Sequence, residues 1–216
     1  RKERAELPPK LYDLTTLQRE ANRLYGFTAQ QTLDYTQSLY EKKLVTYPRT
    51  DSRYLTEDMA AGLPSLVEAV AGALPFMAGL ETTVNAGRVV DSAKVSDHHA
   101  IIPTPSMPGA DLAALPAGEK AVLSLIAARL LCAVGEKYVT AETVAALSCG
   151  GHTFTAKGRT VTATGWKSID NAFRATLKEK PEDKEAPPLP DLAEGQELPR
   201  VNAAVKEGTT APPKHY

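Results

Sequence analysis

Apolar residues recur at helical spacing in the N-terminal part of the chain. They lie on one face of a helix that Thr15 or Thr16 can cap and that extends to about Tyr25. Gly26 then ends this predicted helix, because glycine adopts the left-handed conformation found after many helix C-termini. The apolar stripe consists of Leu17, Ala21 and Leu24.

A second helix is predicted from Thr28, which can cap it, to about Lys43. Basic residues at its end suit the negative end of the helix dipole. The turn between the two helices, residues 26–28, resembles that of a helix-turn-helix. The stripe predicted to share one face consists of Ala29, Leu33, Thr36 and Tyr40.

The segment after the second helix is predicted to be extended. Residues 44–47 form a short β-like run that ends at Pro48, and a residue before proline avoids helical geometry, so Tyr47 is predicted to be non-helical. Thr56 can then cap a helix through about Val70. Residues 72–116 are rich in Gly, Pro and Ala, and their pattern is harder to interpret.

A strongly apolar helix is predicted from about Gly118 to Val134. It leaves little polar surface and is expected to be the central buried helix. Its apolar positions are Val122, Leu123, Leu125, Ile126, Leu130 and Leu131.

Beyond Tyr138 the pattern becomes strand-like, with frequent Thr and Val. Turns at Gly150-Gly151 and Lys157-Gly158 predict a β-meander, which Trp166 is expected to anchor. An exposed loop is predicted for residues 178–195. The predicted strands are 139–149, 152–157, 159–164 and about 197–205. We therefore expect an α+β protein with a mainly α part, residues 1–136, and a β-rich part, residues 137–216.

Composition places the chain among globular proteins. It has 216 residues, of which 43% are hydrophobic and 24% charged, enough for one domain or one and a half. No apolar run approaches the ~18 residues that span a bilayer, and the first ten residues lack the apolar core of a signal peptide. Cys132 and Cys149 are expected to be reduced, partly buried thiols in a cytoplasmic protein.

Charge argues against a dedicated nucleic-acid binder. The net charge is −1, from 25 basic and 26 acidic residues, whereas phosphate affinity comes mainly from Lys and Arg. Any DNA site must therefore be a local patch. The chain opens in a charged segment and ends in an extended-looking one, so we expect it to be a fragment of a longer protein.

The densest group of reactive side chains lies in residues 47–54. This segment holds two phenols, two guanidinium groups, a carboxylate and two aliphatic hydroxyls within an irregular loop. Tyr47 can act as a nucleophile, and Arg49, two residues away, can bind a phosphate and stabilise charge on its oxygens. The alternative from composition alone is an exposed polar loop with a packed tyrosine.

His98 and His99 form a second candidate. Adjacent residues in an extended stretch point to opposite faces, so one of the two would face a given site and could donate to a phosphate. The alternative is a surface histidine without a role. Asp97 alone does not make a metal site, so none is predicted. The sequence also lacks a phosphate-binding glycine loop, a GxSxG elbow and an HExxH motif.

Residues 39–52, LYEKKLVTYPRTDS, resemble the active-site tyrosine motif of type IA DNA topoisomerases. The Tyr-Pro-Arg-Thr-Asp form is more similar to the bacterial topoisomerase III branch. Gly165-Trp166 falls where the family has a similar pair. Three further segments match in the expected order: residues 14–18, residues 97–104 and residues 209–216. The resemblance covers nearly the whole chain.

The resemblance implies a mechanism and its residues. Tyr47 would attack a phosphodiester of single-stranded DNA and become joined to the 5′ phosphate, while Arg49 contacts the scissile phosphate. His98 matches a phosphate-binding histidine, and His99 is a less secure substitute. Positions near the tyrosine that match the family, and are expected to fix its setting, are Thr50, Asp51, Glu41 and Gln37.

The resemblance also implies parts that these residues do not include. The family fold is a ring of four domains, and its Mg²⁺ site lies in an acidic Toprim domain. This chain is similar to the helical, winged-helix or CAP-like, domain with the tyrosine (residues 1–136) and the antiparallel return half of the arch (residues 137–216). We expect it to bind no metal itself, to be inactive alone, and to act on single-stranded DNA at the bacterial nucleoid with no membrane partner.

A non-catalytic helix-turn-helix module that grips duplex DNA is the alternative function. It would need a basic recognition helix. Residues 28–43 carry Lys42 and Lys43 against Asp34 and Glu41, which disfavours this alternative. A protein-interaction domain would rest on the balanced charge alone.

Overall fold

The computed structural model describes residues 2–177, 188–198, 202, 204–205 and 207–212. Helices and one antiparallel sheet make up this part, which confirms the predicted α+β class. The helices are α1 (Leu14–Tyr25), α2 (Ala29–Glu41), α3 (Leu63–Gly72), α4 (Ala117–Ala133) and α5 (Lys167–Thr176). The strands are β1 (Lys2–Glu6), β2 (Tyr138–Cys149) and β3 (His152–Ala163).

The start of α1 differs from the prediction. Asp13 is the N-cap, and its carboxylate accepts a hydrogen bond of 2.6 Å from the backbone N–H of Thr16. The predicted cap residues Thr15 and Thr16 therefore lie inside the helix. Asp and Thr both cap well, and spacing cannot choose between them. The predicted end is confirmed, since Gly26 adopts φ 70° after Tyr25.

Helix α2 begins as predicted but buries a different face. Thr28 caps it in a capping box, in which Thr28 and Gln31 satisfy each other's backbone N–H groups. Of the four residues predicted to share one face, Thr36 is buried, whereas Ala29 and Tyr40 are exposed and Leu33 is partly exposed. The buried residues are Thr32, Thr36 and Leu39. The hydroxyls of both threonines bond to the helix's own carbonyls, so these polar residues can face the core.

The helix predicted from Thr56 to Val70 is divided. Thr56 precedes a single 3₁₀ turn, Glu57–Met59, and α3 begins only at Leu63. Gly62, directly before α3, and proline in its first turn account for this later start. Residues 73–116 contain no α-helix or strand but four more 3₁₀ turns: Pro75–Met77, Ala86–Arg88, Ser92–Lys94 and Met107–Gly109.

Helix α4 is the central helix of the core, as predicted. It packs against α1, α2, α3 and α5. Its C-terminal half, from Leu125 to Ala133, is buried except for Arg129, which is partly exposed. At its N-terminal end Glu119 is also buried, and it forms an ion pair with Lys42 and accepts a hydrogen bond of 2.9 Å from Ser38. This contact fixes the C-terminal end of α2 against α4.

The sheet has the order β1–β2–β3 and is antiparallel throughout. Gly150 and Gly151, at φ 56° and 78°, form the predicted hairpin turn. The predicted turn at Lys157-Gly158 is wrong, because both residues lie within β3 and pair with β2. Strand β1 was not predicted; it pairs with β2 from Lys2↔Glu142 to Glu6↔Tyr138.

Helix α5 was also not predicted. Ile169 and Phe173, four residues apart, bury its inner face against the core. Trp166 precedes it, donates from its backbone to the Glu136 carbonyl at 2.9 Å and packs against the core. Of the loop predicted for residues 178–195, residues 178–187 lie outside the described part. The strand predicted near 197–205 is absent from residues 197, 198, 202, 204 and 205.

The two cysteines differ in their environments. Cys132 is buried in α4, and burial raises the pKa of its thiol well above the ordinary value. Cys149 is exposed at the end of β2, so the prediction of partial burial is wrong for it. Of the helices in the described part, none combines the length and apolar character needed to cross a bilayer.

Candidate active site

A tight helix end starts the loop that carries Tyr47. Lys43 adopts φ 62°, and its N–H donates to the Tyr40 carbonyl at 2.8 Å. The N–H of Leu44 donates to the Leu39 carbonyl at 2.9 Å, which completes a Schellman motif. The chain therefore reverses at Lys43 and returns to the core, where Leu44 and Val45 are buried.

The loop lies alongside residues 98–104. Val45 pairs with Pro103 in an antiparallel bridge, and the N–H of Thr46 donates to the Ile102 carbonyl at 3.0 Å. The Thr46 hydroxyl donates to the Ala100 carbonyl at 3.1 Å and accepts from the Ile102 N–H at 3.0 Å. One hydroxyl thus links the residue before Tyr47 to two backbone groups of the second segment.

A second threonine fixes the loop beyond Tyr47. Thr50 is buried, and its hydroxyl donates to the His98 carbonyl at 2.7 Å. It also accepts from the N–H of Ser52 at 3.1 Å. Because Thr46 and Thr50 lie on either side of Tyr47, the backbone at Tyr47 is held against the His98 segment.

Tyr47 and His98 are consequently in contact. Their ring centroids lie 4.4 Å apart with the planes inclined at 46°. The Tyr47 ring also meets that of Tyr40, at 5.4 Å and 77°, in an edge-to-face arrangement. Tyr47 is half-buried between them, and its non-helical backbone agrees with the prediction made from Pro48.

The remaining candidate residues differ in their settings. Arg49 is exposed, beside Tyr47 in sequence. Asp51, also exposed, accepts a hydrogen bond of 3.3 Å from the Ser96 hydroxyl. The Nδ1 atom of His99 lies 2.8 Å from the Ala100 carbonyl, whereas His98 faces Tyr47. The two histidines therefore have separate environments.

Gln37 and Glu41 form a pair on α2. The Gln37 side-chain amide donates to the Glu41 carboxylate at 3.0 Å. Glu41 lines the same groove as Tyr47, and both residues of the pair are at least partly exposed. The pair stands one helical turn apart, the spacing at which side chains on a helix surface meet.

Two further aromatic residues of this region have contacts that sequence reasoning missed. The sequence spacing placed Tyr40 on one helix face with Ala29, Leu33 and Thr36, and the structure shows that it is exposed and contacts Tyr47. Tyr54 has the ammonium groups of Lys10 and Lys94 over its ring at 5.0 and 4.7 Å. A hydrogen bond with Lys10 is the main cause that lowers the pKa of Tyr54. Tyr40 lies within the motif of residues 39–52, and this motif was the sequence signal that could have pointed to it.

The described residues contain no group of three or more His, Cys, Asp or Glu side chains placed to hold a metal ion. The described residues therefore offer no all-protein cage for Mg²⁺, an ion that proteins usually hold through one or two carboxylates together with waters and substrate phosphates.

Comparison with known proteins identifies the family. A family model described as DNA topoisomerase matches residues 1–216. The chain belongs to the DNA topoisomerase family. Its topoisomerase relatives include the DNA topoisomerase 3 of Bacillus licheniformis, 40% identical over 214 residues, and that of Bacillus subtilis, 39% identical over 214 residues. The resemblance to the bacterial topoisomerase III branch of the type IA enzymes is thereby confirmed.

The match covers the chain but not the relatives. In both Bacillus topoisomerases it covers 96% of this chain and 29% of the relative, so the chain spans about three tenths of their length. Among solved structures, full-length topoisomerase I from Thermotoga maritima aligns with a TM-score of 0.61 and 22% identity. That alignment covers 90% of this chain and 30% of the other, and it shows a shared fold.

Proposed function

We propose that this chain provides the nucleophile of a type IA DNA topoisomerase and that the nucleophile is Tyr47. The contact between the Tyr47 and His98 rings carries the proposal, because it joins two motif segments that are distant in sequence. A phenol beside an imidazole, with an exposed arginine two residues further along the chain, is a setting suited to attack on a phosphodiester.

The proposed reaction is a transesterification in single-stranded DNA. The Tyr47 phenolic oxygen forms a bond to phosphorus, and the bond from phosphorus to the 3′ oxygen breaks. The phenol loses its proton and the departing 3′ oxygen gains one, which leaves a 5′-phosphotyrosyl link and a 3′ hydroxyl. One ester replaces another, so the 3′ hydroxyl can reverse the step after strand passage without an external energy source.

The neighbouring side chains have supporting roles in this proposal. Arg49 and His98 bind the scissile phosphate. Arg49 does so as a permanently charged cation and His98 as a hydrogen-bond donor. The residues proposed to position the tyrosine are Thr50, Asp51, Glu41, Gln37 and His99. Thr50 is supported by its bond to the His98 carbonyl, and the Gln37–Glu41 pair by its place beside the groove at Tyr47.

The complete activity is proposed for a longer protein. The relatives are more than three times the length of this chain, and we place the Mg²⁺ site and the remaining DNA-binding surface in their other parts, including a Toprim domain. Bound Mg²⁺ would supply positive charge to the phosphate. In this proposal residues 1–136 are the tyrosine-bearing, winged-helix domain and residues 137–216 half of the arch, in an enzyme of the bacterial nucleoid.

The test is covalent capture of DNA by the complete protein. Tyr47→Phe is expected to abolish the adduct with a labelled single-stranded oligonucleotide, because phenylalanine has no oxygen to bond to phosphorus. Denaturing gel electrophoresis after a rapid quench measures the adduct. Tyr54→Phe, in the same loop, is the matched control and should keep it.

An adduct that survives Tyr47→Phe would show that another residue is the nucleophile. In a second experiment, the 216-residue chain alone should not relax supercoiled plasmid in the presence of Mg²⁺. Relaxation at catalytic amounts would contradict the need for other parts.

The structure weakens the helix-turn-helix alternative further. Lys42 is held by Glu119 in an ion pair at the end of α2. The helix that would enter the major groove therefore has even less positive charge available to meet phosphates than its sequence indicates.

A further inference from the structure

An open groove borders Tyr47, and the chemistry described so far places no part of the DNA in it. It has a volume of about 510 Å³. Tyr40, Lys43 and Val45 lie along it, with Tyr47 and Thr104. It begins at the ring proposed to carry the attacking oxygen, so any group within it is next to the reaction.

The aromatic surface of this groove is available to a ligand. Tyr40 is 40% exposed although it is a large apolar side chain, and Leu39 beside it takes the buried position on α2. The near-perpendicular packing of Tyr40 on Tyr47 fixes the orientation of one ring against the other. The Tyr40 ring is therefore fixed in orientation and is not covered by the core.

The groove is lined by one basic and one acidic side chain, Lys43 and Glu41. Lys43 is exposed, and its backbone is fixed, since the Lys43 carbonyl accepts a hydrogen bond from the Thr104 hydroxyl. The Glu41 carboxylate accepts a hydrogen bond from the Gln37 amide. An aromatic wall with a cation beside it matches a base attached to a phosphate backbone.

We propose that this groove binds a base of single-stranded DNA next to the phosphodiester that Tyr47 attacks, with Tyr40 as the stacking surface. Every base has an aromatic face, so stacking anchors the nucleotide without selecting a sequence. The proposal rests on the proposed function for its location. Tyr40 is a positioning residue, which places the phosphate through the adjoining base.

The test measures DNA binding apart from cleavage. In the complete protein carrying Tyr47→Phe, Tyr40→Ala is expected to weaken binding of a fluorescent single-stranded oligonucleotide by about 5- to 150-fold, the effect of losing one stacked base. Tyr40→Phe keeps the ring and should change the Kd by less than about 2-fold, whereas Tyr40→Leu should weaken binding as Tyr40→Ala does. Phe154→Ala, at an aromatic residue 56% exposed on β3, is the matched control and should have no effect.

A scan with abasic oligonucleotides separates stacking from a structural role. When the missing base is the one that lies in the groove, the protein that retains Tyr40 should bind the abasic oligonucleotide more weakly than the intact one. On that abasic oligonucleotide, Tyr40→Ala should cause no further loss of affinity. An equal penalty on every abasic oligonucleotide, or no penalty on the intact one, would overturn the proposal. Equal melting temperatures of the variants exclude misfolding, and Tyr40→Leu replaces any Tyr40→Ala protein that fails to fold.

The two proposals fail separately. The binding assay uses a protein that lacks the Tyr47 oxygen, so it does not depend on which residue forms the adduct. An adduct at another tyrosine would contradict the proposed function while the abasic scan still tests the base contact at Tyr40.

Discussion

At the scale of single residues, the position of Tyr47 depends on a few backbone and hydroxyl groups. Thr46 and Thr50 bond across to the backbone of residues 98–102, on either side of the tyrosine. Lys43 turns the chain out of α2 in the left-handed conformation. A non-glycine residue there has a cost in free energy, which the surrounding hydrogen bonds must offset.

Lys43→Gly is expected to stabilise the protein. Glycine removes the left-handed strain of ~1–2 kcal/mol but increases the entropy of the unfolded chain, which leaves a net gain of about 0.5–1 kcal/mol. Thermal unfolding should show a melting temperature higher by about 1–4 °C. Lys43→Ala removes the charge but keeps the strain, so equal stability of the two variants would contradict the explanation.

At the scale of elements, α1, α4 and α5 meet at a partly buried ionic cluster. Glu20 of α1 forms ion pairs with Arg129 of α4 and, at 3.8 Å, with Arg174 of α5. Arg129 also donates to the buried Tyr12 hydroxyl at 2.8 Å. Burial raises the pKa of that phenol, so Tyr12 stays neutral. The cluster therefore joins three helices through one carboxylate.

The acid sensitivity of this cluster can be measured. Burial alone would raise the pKa of Glu20, but the charge of Arg129 and the Tyr12 hydrogen bond outweigh it, so the pKa lies below 4.5. The ionised carboxylate thus adds stability that is present above about pH 4.5 and is lost as the pH falls through the folded-state pKa. Glu20→Gln should lower the free energy of unfolding at neutral pH by about 1–3 kcal/mol.

Urea denaturation at several pH values between 7 and 3 measures this effect. The difference between Glu20→Gln and the unsubstituted protein should narrow as the carboxylate becomes protonated. A difference that stays constant across this range would mean that the charge of Glu20 is not its source.

At the scale of the whole molecule, the sheet and the helical core meet at the residues before α5. Gly165 has φ 46°, and a Cβ atom there would lie 2.3 Å from the Lys137 carbonyl oxygen. The Trp166 indole N–H donates to the Glu6 carbonyl at 3.4 Å, which connects this junction to β1. The junction therefore requires the absence of a side chain at Gly165.

Gly165→Ala is expected to destabilise the protein by roughly 2–4 kcal/mol, from the left-handed conformation together with the steric clash. Gly150→Ala is the matched control, because Gly150 has φ 56° but open space around its Cβ position. Thermal unfolding of both variants measures the difference. Equal losses would show that the contact with Lys137 has no energetic effect.

The sequence predicted elements that have their own signals and missed those that depend on partners. The apolar pattern of α4 was sufficient to predict that helix, and Gly150-Gly151 was sufficient to predict the hairpin turn. Strand β1 has five exposed residues and forms only because β2 lies beside it, so no apolar alternation could reveal it. Helix α5 left one signal, Ile169 and Phe173 at a spacing of four.

The same distinction between local signals and contacts with distant partners applies to the candidate site. The motif around Tyr47 was readable as a local pattern, and so were the two histidines. Their contact was not readable, because it depends on hydrogen bonds between segments far apart in the chain. The exposure of Tyr40 was missed because the sequence pattern grouped Tyr40 with Thr36, whereas the structure buries Leu39 together with Thr32 and Thr36.

The antiparallel bridge between Val45 and Pro103 has a mechanical consequence. In the proposed chemistry, a DNA strand under tension pulls on the Tyr47 side chain through a covalent bond. This force is transmitted to the loop backbone, which Thr46 links by hydrogen bonds to residues 100–104. The buried side chains of Ile101 and Ile102 anchor that second segment in the core. The load is therefore shared among several parallel hydrogen bonds and the core, and the loop can hold a strained DNA end without unravelling.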